Sequence, residues 1–125
     1  MCAMVRMTPR FYFIISYYDV KKRRSKFDEI SLLLNLNPTT AKVLRLLIEA
    51  RKRGKGLTSE QISTRLNLPQ SNIVYHLNKL MVGGLVVRMG RVYFLRGPTL
   101  KDTFDEVEQD IQRYFKHLKQ LAEGL

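Results

Sequence analysis

The forty residues from Leu57 to Arg96, LTSEQISTRLNLPQSNIVYHLNKLMVGGLVVRMGRVYFLR, constrain the fold more than any other stretch of the chain. They read as two helices joined by a tight turn, then a small hairpin. Thr58 and Gln61 form a T-x-x-Q capping box, whose side chains satisfy the orphan amides of a helix start. Ile62 and Leu66 then share one face of that helix. Asn67-Leu68-Pro69 breaks it, because Pro69 has no amide donor and biases Leu68 away from helical angles. Proline is tolerated at the start of a helix, so a second helix begins there. Ile73, Leu77, Leu80 and Met81 form its apolar stripe at helical spacing, and Gly83-Gly84 ends it. Leu85–Arg88 and Arg91–Arg96 flank Met89-Gly90 and read as a hairpin.

Two helices and a hairpin in this order resemble a winged helix-turn-helix. The run SNIVYHLNKLMVGGLVVR…GRVYFLR is similar to the ArsR-type group of bacterial and archaeal transcription regulators, in the recognition helix, glycine break and wing. The resemblance covers Asn37 to the C-terminus. It implies a recognition helix at 69–82 in the major groove and a wing at 85–96 on phosphates or the minor groove.

Turning Ile73, Leu77 and Leu80 to the core leaves Gln70, Ser71, Val74, Tyr75 and Asn78 on one continuous opposite face. Gln70 and Asn78 suit bidentate reading of adenine, Ser71 a base edge or phosphate, and Val74 a thymine methyl. Thr58, Ser59, Tyr75 and Lys79 are expected on the DNA backbone. Arg88 and Arg91 bracket Gly90 at the wing tip, and Arg96 is expected to point outward beside them. His76 is read as a packed structural residue. The resembling proteins usually carry a small polar residue where Val74 stands. Their metal-sensing members carry Cys-x-Cys in the helix before the recognition helix, or His and Asp ligands in the last helix. Here Ser59–Asn67 holds no cysteine, and Asp110 and His117 have no second ligand pair, so neither a metal nor a cofactor is expected.

Upstream, Phe27–Leu36 and Ala41–Arg53 read as two scaffold helices separated by Asn37-Pro38. Thr39 or Thr40 is expected to start the second, and Val43, Leu44, Leu47 and Ile48 to form its buried stripe. Residues 1–26 hold an aromatic run, Phe11–Tyr18, of strand or helix type. They also hold a basic run, Lys21–Lys26, suited either to a phosphate-touching arm or to a solvated connector.

Downstream, Leu100, Phe104, Val107, Ile111, Tyr114, Leu118, Leu121 and Leu125 alternate spacings of four and three. This is an unbroken heptad seam, which favours helix–helix pairing between two copies. Acids fill the first half of this helix and bases the second, which suits its dipole and would let two copies pair antiparallel across a two-fold axis.

The charge distribution bears on partners. Of 22 Lys+Arg and 11 Asp+Glu, residues 1–98 hold 18 and 5, a balance of +13, whereas residues 99–125 hold 4 and 6, a balance of −2. A basic body with a near-neutral tail is the footprint of a polyanion binder. One cysteine excludes an intrachain disulfide framework and fits a reducing compartment. No apolar run reaches membrane-span length, and Phe11–Tyr18 is too short for an export signal. No phosphate-binding glycine loop, nucleophile–base pair or paired carboxylate points to an enzyme.

The expectation is a mainly α protein with a small β-hairpin: an N-terminal extension (1–26), a winged helix-turn-helix domain (27–98) and a C-terminal dimerisation helix (99–125). It would act in the cytoplasm as a homodimeric, sequence-specific regulator on double-stranded DNA. Two alternatives stand beside it: an architectural DNA-binding protein with little sequence preference, and a winged helix used as a protein-interaction module.

Overall fold

A computed structural model describes residues 25–125, so the expected aromatic run and residues 21–24 of the expected basic run lie outside the described residues. The described residues belong to two units divided after Ala41.

In the first unit, α1 (Lys26–Leu33) begins at a full capping box in which the Ser25 hydroxyl and the Asp28 carboxylate exchange bonds with each other's backbone amides. It ends three residues sooner than the periodicity suggests, because Asn35 turns left-handed at φ 57°. Asparagine tolerates this conformation better than most residues. No residue of α1 is buried, contrary to its reading as core scaffold, and Leu33 and Leu34 are exposed. The next helix, α2 (Pro38–Lys52), starts earlier than expected. Asn37 Oδ1 accepts from the Thr39 amide at 2.8 Å, so Asn37 takes the capping role assigned to Thr39 or Thr40. Pro38 fills the first helical position, where its missing amide is no loss.

Beyond Ala41, α2 buries Val43, Leu44, Leu47 and Ala50, while Ile48 is only half-buried. The chain continues as β1 (Leu57–Thr58), α3 (Ser59–Leu66), α4 (Gln70–Val82), β2 (Val86–Met89), β3 (Val92–Leu95) and α5 (Leu100–Ala122). The wing is therefore a three-stranded antiparallel sheet of order β1-β3-β2 rather than a bare hairpin. Gly56 makes the extra strand possible. A Cβ there would lie 2.5 Å from the Tyr93 carbonyl and 2.7 Å from the Phe94 and Val92 side chains. Leu57, Ile62, Ile73, Leu77, Leu80, Leu85, Val86, Tyr93 and Leu95 complete the core.

The helix-turn-helix joint is closed by backbone geometry. Asn67 caps α3 in the left-handed conformation at φ 55°, and its amide donates to the Ser63 carbonyl. The Ser63 hydroxyl in turn donates to the Leu68 carbonyl. Pro69 leads into α4 without any side-chain cap.

Candidate nucleic-acid interface

Burial of Ile73, His76, Leu77 and Leu80 fixes the rotation of α4 about its own axis. Gln70, Ser71, Tyr75, Asn78 and Lys79 are thereby exposed and Val74 is half-buried, so the expected reading face is presented as one surface. Thirteen residues make this helix, about 20 Å long at 1.5 Å per residue, enough to lie along a major groove.

The start of α4 is tied to the start of α3. Gln70 Nε2 donates to the Ser59 hydroxyl at 2.9 Å. Thr58 caps α3, accepting from the Gln61 amide at 3.2 Å while Gln61 Oε1 accepts from the Thr58 amide at 2.9 Å. Thr58 and Ser59 are both half-buried. The two helix starts and the wing enclose a polar groove of about 300 Å³, lined in part by Ser59, Glu60, Gln70, Val74, Arg88 and Arg91.

The wing arginines turn toward this groove. Arg88 packs its guanidinium 5.6 Å from the Tyr93 ring centre and donates to the Gly90 carbonyl at 2.7 Å. Arg91 reaches across to Glu60 at 3.1 Å, with both side chains mostly in solvent. Exposed pairs of this kind are weak, so Arg91 is held lightly. Further along α4, the Lys79 ammonium lies 4.9 Å over the Tyr75 ring, and Tyr75 meets His76 edge-on at 5.2 Å. Burial, helped by the nearby Lys79 charge, lowers the His76 pKa below its ordinary 6.5. The imidazole is thus held neutral at physiological pH.

Arg96 corrects the expectation that it points outward. Its side chain is 23% exposed and is engaged by Glu106 at 3.1 Å and Asp110 at 2.7 Å. The paired carboxylates raise the Arg96 pKa, chiefly through the Asp110 hydrogen bond. The same bond depresses the Asp110 carboxyl, and Arg113 adds to the effect. A guanidinium neutralised twice on its own chain is not a free phosphate ligand, so Arg96 leaves the expected set. Sequence reasoning also missed Glu60, a carboxylate set within an otherwise cationic surface.

The seam of α5 divides in two. Leu100, Phe104 and Val107 are half-buried, alongside the fully buried Thr103. From Ile111 onward the helix is exposed throughout, including Tyr114, Leu118 and Leu121 of the seam and Phe115 beside it. Among the described residues no helix is long and apolar enough to cross a membrane, and no cluster of three His, Cys, Asp or Glu side chains is placed to hold a metal.

Comparison with known proteins gives this arrangement a family of shapes. The family described as a helix-turn-helix domain matches residues 36–88. Ligand-free NadR is similar in structure at 16% identity, over 92% of this chain and 81% of that one, with a TM-score of 0.50. MepR, a transcription regulator of the Staphylococcus aureus multidrug efflux pump MepA, is 18% identical over 94% of this chain and 93% of its own, also with a TM-score of 0.50. No curated protein sequence matches. At such identities the likeness is one of fold, and with the sheet and helix order above it makes this chain a winged helix-turn-helix protein with a long C-terminal helix.

Proposed function

We propose that the protein is a homodimeric transcription regulator that binds double-stranded DNA in the cytoplasm and has no enzymatic activity. The observation that carries this reading is the face of α4. Gln70, Ser71 and Asn78 are exposed, serve no core, and stand beside a groove into which Arg88 and Arg91 turn. A phosphate passing that groove meets two guanidinium groups and the uncapped start of α4, while base edges meet the amide side chains. MepR, of the same fold, is a transcription regulator, which supports the assignment of role. The finer ArsR-type membership rests on the SNIVYHLNKLMVGGLVVR…GRVYFLR run.

The exposed half of α5 supports the dimer. Ile111, Tyr114, Leu118 and Leu121 repeat at heptad spacing and are exposed in the single chain, and a second copy of the same helix presents the matching stripe. In this organisation residues 27–98 bind DNA and 99–125 pair. The two recognition helices then address half-sites about one helical turn apart. Phosphate contacts supply most of the affinity, so binding falls steeply with salt.

The test is selection of random duplex by the purified full chain, with the winners' affinities measured at two salt concentrations. A two-fold-symmetric consensus, lost on Gln70→Ala with Asn78→Ala, is expected. Salt-sensitive binding without a consensus would replace this reading by the architectural one. No binding even at low salt would leave a winged helix that contacts protein.

A further inference from the structure

Arg96 lies where three parts of the molecule meet, and none of its bonds serves the DNA face. Its backbone amide donates to the Leu85 carbonyl at 2.9 Å, which closes the base of the wing. Its guanidinium approaches the Gly84 carbonyl at 3.5 Å, in the turn that ends the recognition helix α4. The same guanidinium grips Glu106 and Asp110, one turn apart on α5. Gly84 suits this turn through its φ of +80°, which side chains rarely adopt, and its α-carbon lies beside Val107 and the Arg96 guanidinium.

The start of α5 has its own anchor. The Thr103 hydroxyl donates to the Thr99 carbonyl and accepts from the Gly97 amide, both at 2.9 Å. Arg51 Nε donates to the Gly97 carbonyl at 3.2 Å. A helix anchored at its first turn can still swing about that point. The Arg96 clamp, one and two turns further on, is the polar contact that fixes the swing. Past Asp110 a further 12 residues of α5, Ile111 to Ala122, run exposed. They span about 18 Å, so a tilt of about 10° at the clamp moves the far end by about 3 Å. That is close to the rise of one base pair, about 3.4 Å.

We propose that Arg96 is a positioning residue that sets the spacing between DNA half-sites, by fixing the direction in which α5 leaves the winged domain. The inference rests on the dimeric DNA-binding reading. With the far halves of two α5 helices paired, the exit angle at each Arg96 decides how far apart the recognition helices stand. The fork of the guanidinium suits the task, because it engages two carboxylates at once and resists rotation in a way that a point charge does not.

The experiment uses the full chain and an inverted repeat of its selected half-site, with the spacer changed one base pair at a time. The wild type is expected to prefer one spacer by about tenfold or more, the size of a single mismatched base pair. Arg96→Met and Asp110→Asn are expected to bind an isolated half-site as the wild type does, yet lose most of the spacing preference. A spacing profile unchanged in both variants overturns the proposal. If Arg96→Met fails to fold by circular dichroism, Asp110→Asn decides, since Asp110 stands at the partly exposed edge of the junction. A wild type that binds half-sites singly, or binds no duplex, overturns the dimeric reading itself before any variant is compared, and this proposal with it.

Discussion

Replacing Leu118 and Leu121 together by glutamine tests whether the exposed end of α5 is a dimer interface. Leu118 is 39% exposed and Leu121 60% in the single chain, so together they leave about one whole leucine uncovered. Burying one leucine side chain contributes about 1.5–3 kcal/mol. A symmetric dimer buries the pair on both protomers, so the double variant weakens association by about 3–6 kcal/mol. That corresponds to a dissociation constant raised on the order of 10² to 10⁴. Glutamine keeps the helix propensity close to that of leucine, and neither residue serves the core of its own chain. Thermal unfolding of the separated monomer therefore stays near that of the wild-type monomer. Sedimentation equilibrium over a concentration series measures both constants. A dissociation constant within threefold of the wild type would refute the reasoning, because the stripe would then lie outside the interface.

Removing Arg88 and Arg91 together by alanine is expected to weaken duplex binding across all sequences and to lower the slope of log affinity against log salt by about 2, one unit for each phosphate that no longer meets a guanidinium. An unchanged slope in a salt titration would place the wing off the DNA. Thr103→Val leaves the Gly97 amide without its 2.9 Å partner and is expected to cost about 1–3 kcal/mol in urea unfolding; a loss below about 0.5 kcal/mol would show that water replaces the hydroxyl there. His76 gives a pH dependence whose sign follows from its lowered pKa. The unfolded chain takes up the proton first as pH falls, so folding stability declines below about pH 6.5 and continues to decline down to the folded-state pKa. His76→Gln should flatten that part of the stability profile, and an equal slope in both proteins would contradict a neutral buried imidazole.

Local chemistry made much of the fold legible. The Thr58–Gln61 box, the Asn67-Leu68-Pro69 break and the stripe of α4 each depend on residues within one or two turns, and each is where the sequence puts it. The departures have separate causes. Strand β1 is two residues long and pairs Leu57 with Tyr93, far along the chain; its local trace is Gly56, which reads equally well as a helix terminator. Asn37-Pro38 reads as a break although proline begins α2, because the capping oxygen comes from the residue just before it. Thr103 escapes a search for apolar residues, since its burial depends on a hydroxyl matched to Gly97 and Thr99.

The exposed face of α4 was readable by subtraction, and the limit of that method is where the helix ends. Once Ile73, Leu77 and Leu80 belong to the core, the opposite face of α4 must carry whatever α4 does, and no tertiary knowledge is needed to name Gln70, Ser71 and Asn78. Arg96 defeats the same logic. Alternation along β3 sets it with Val92 and Phe94, opposite the buried Tyr93 and Leu95, and a free outer face is the natural inference. That face is covered at its end by α5, ten to fourteen residues later, where Glu106 and Asp110 wait at helical spacing. Those acids also read as part of a solvated helix face, suited to a partner's basic half. Committing both to Arg96 removes them from that role and weakens the charge argument for antiparallel pairing. In the proposed dimer, pairing would then rest mainly on the apolar stripe beyond Asp110, while the acids hold the helix to its own wing.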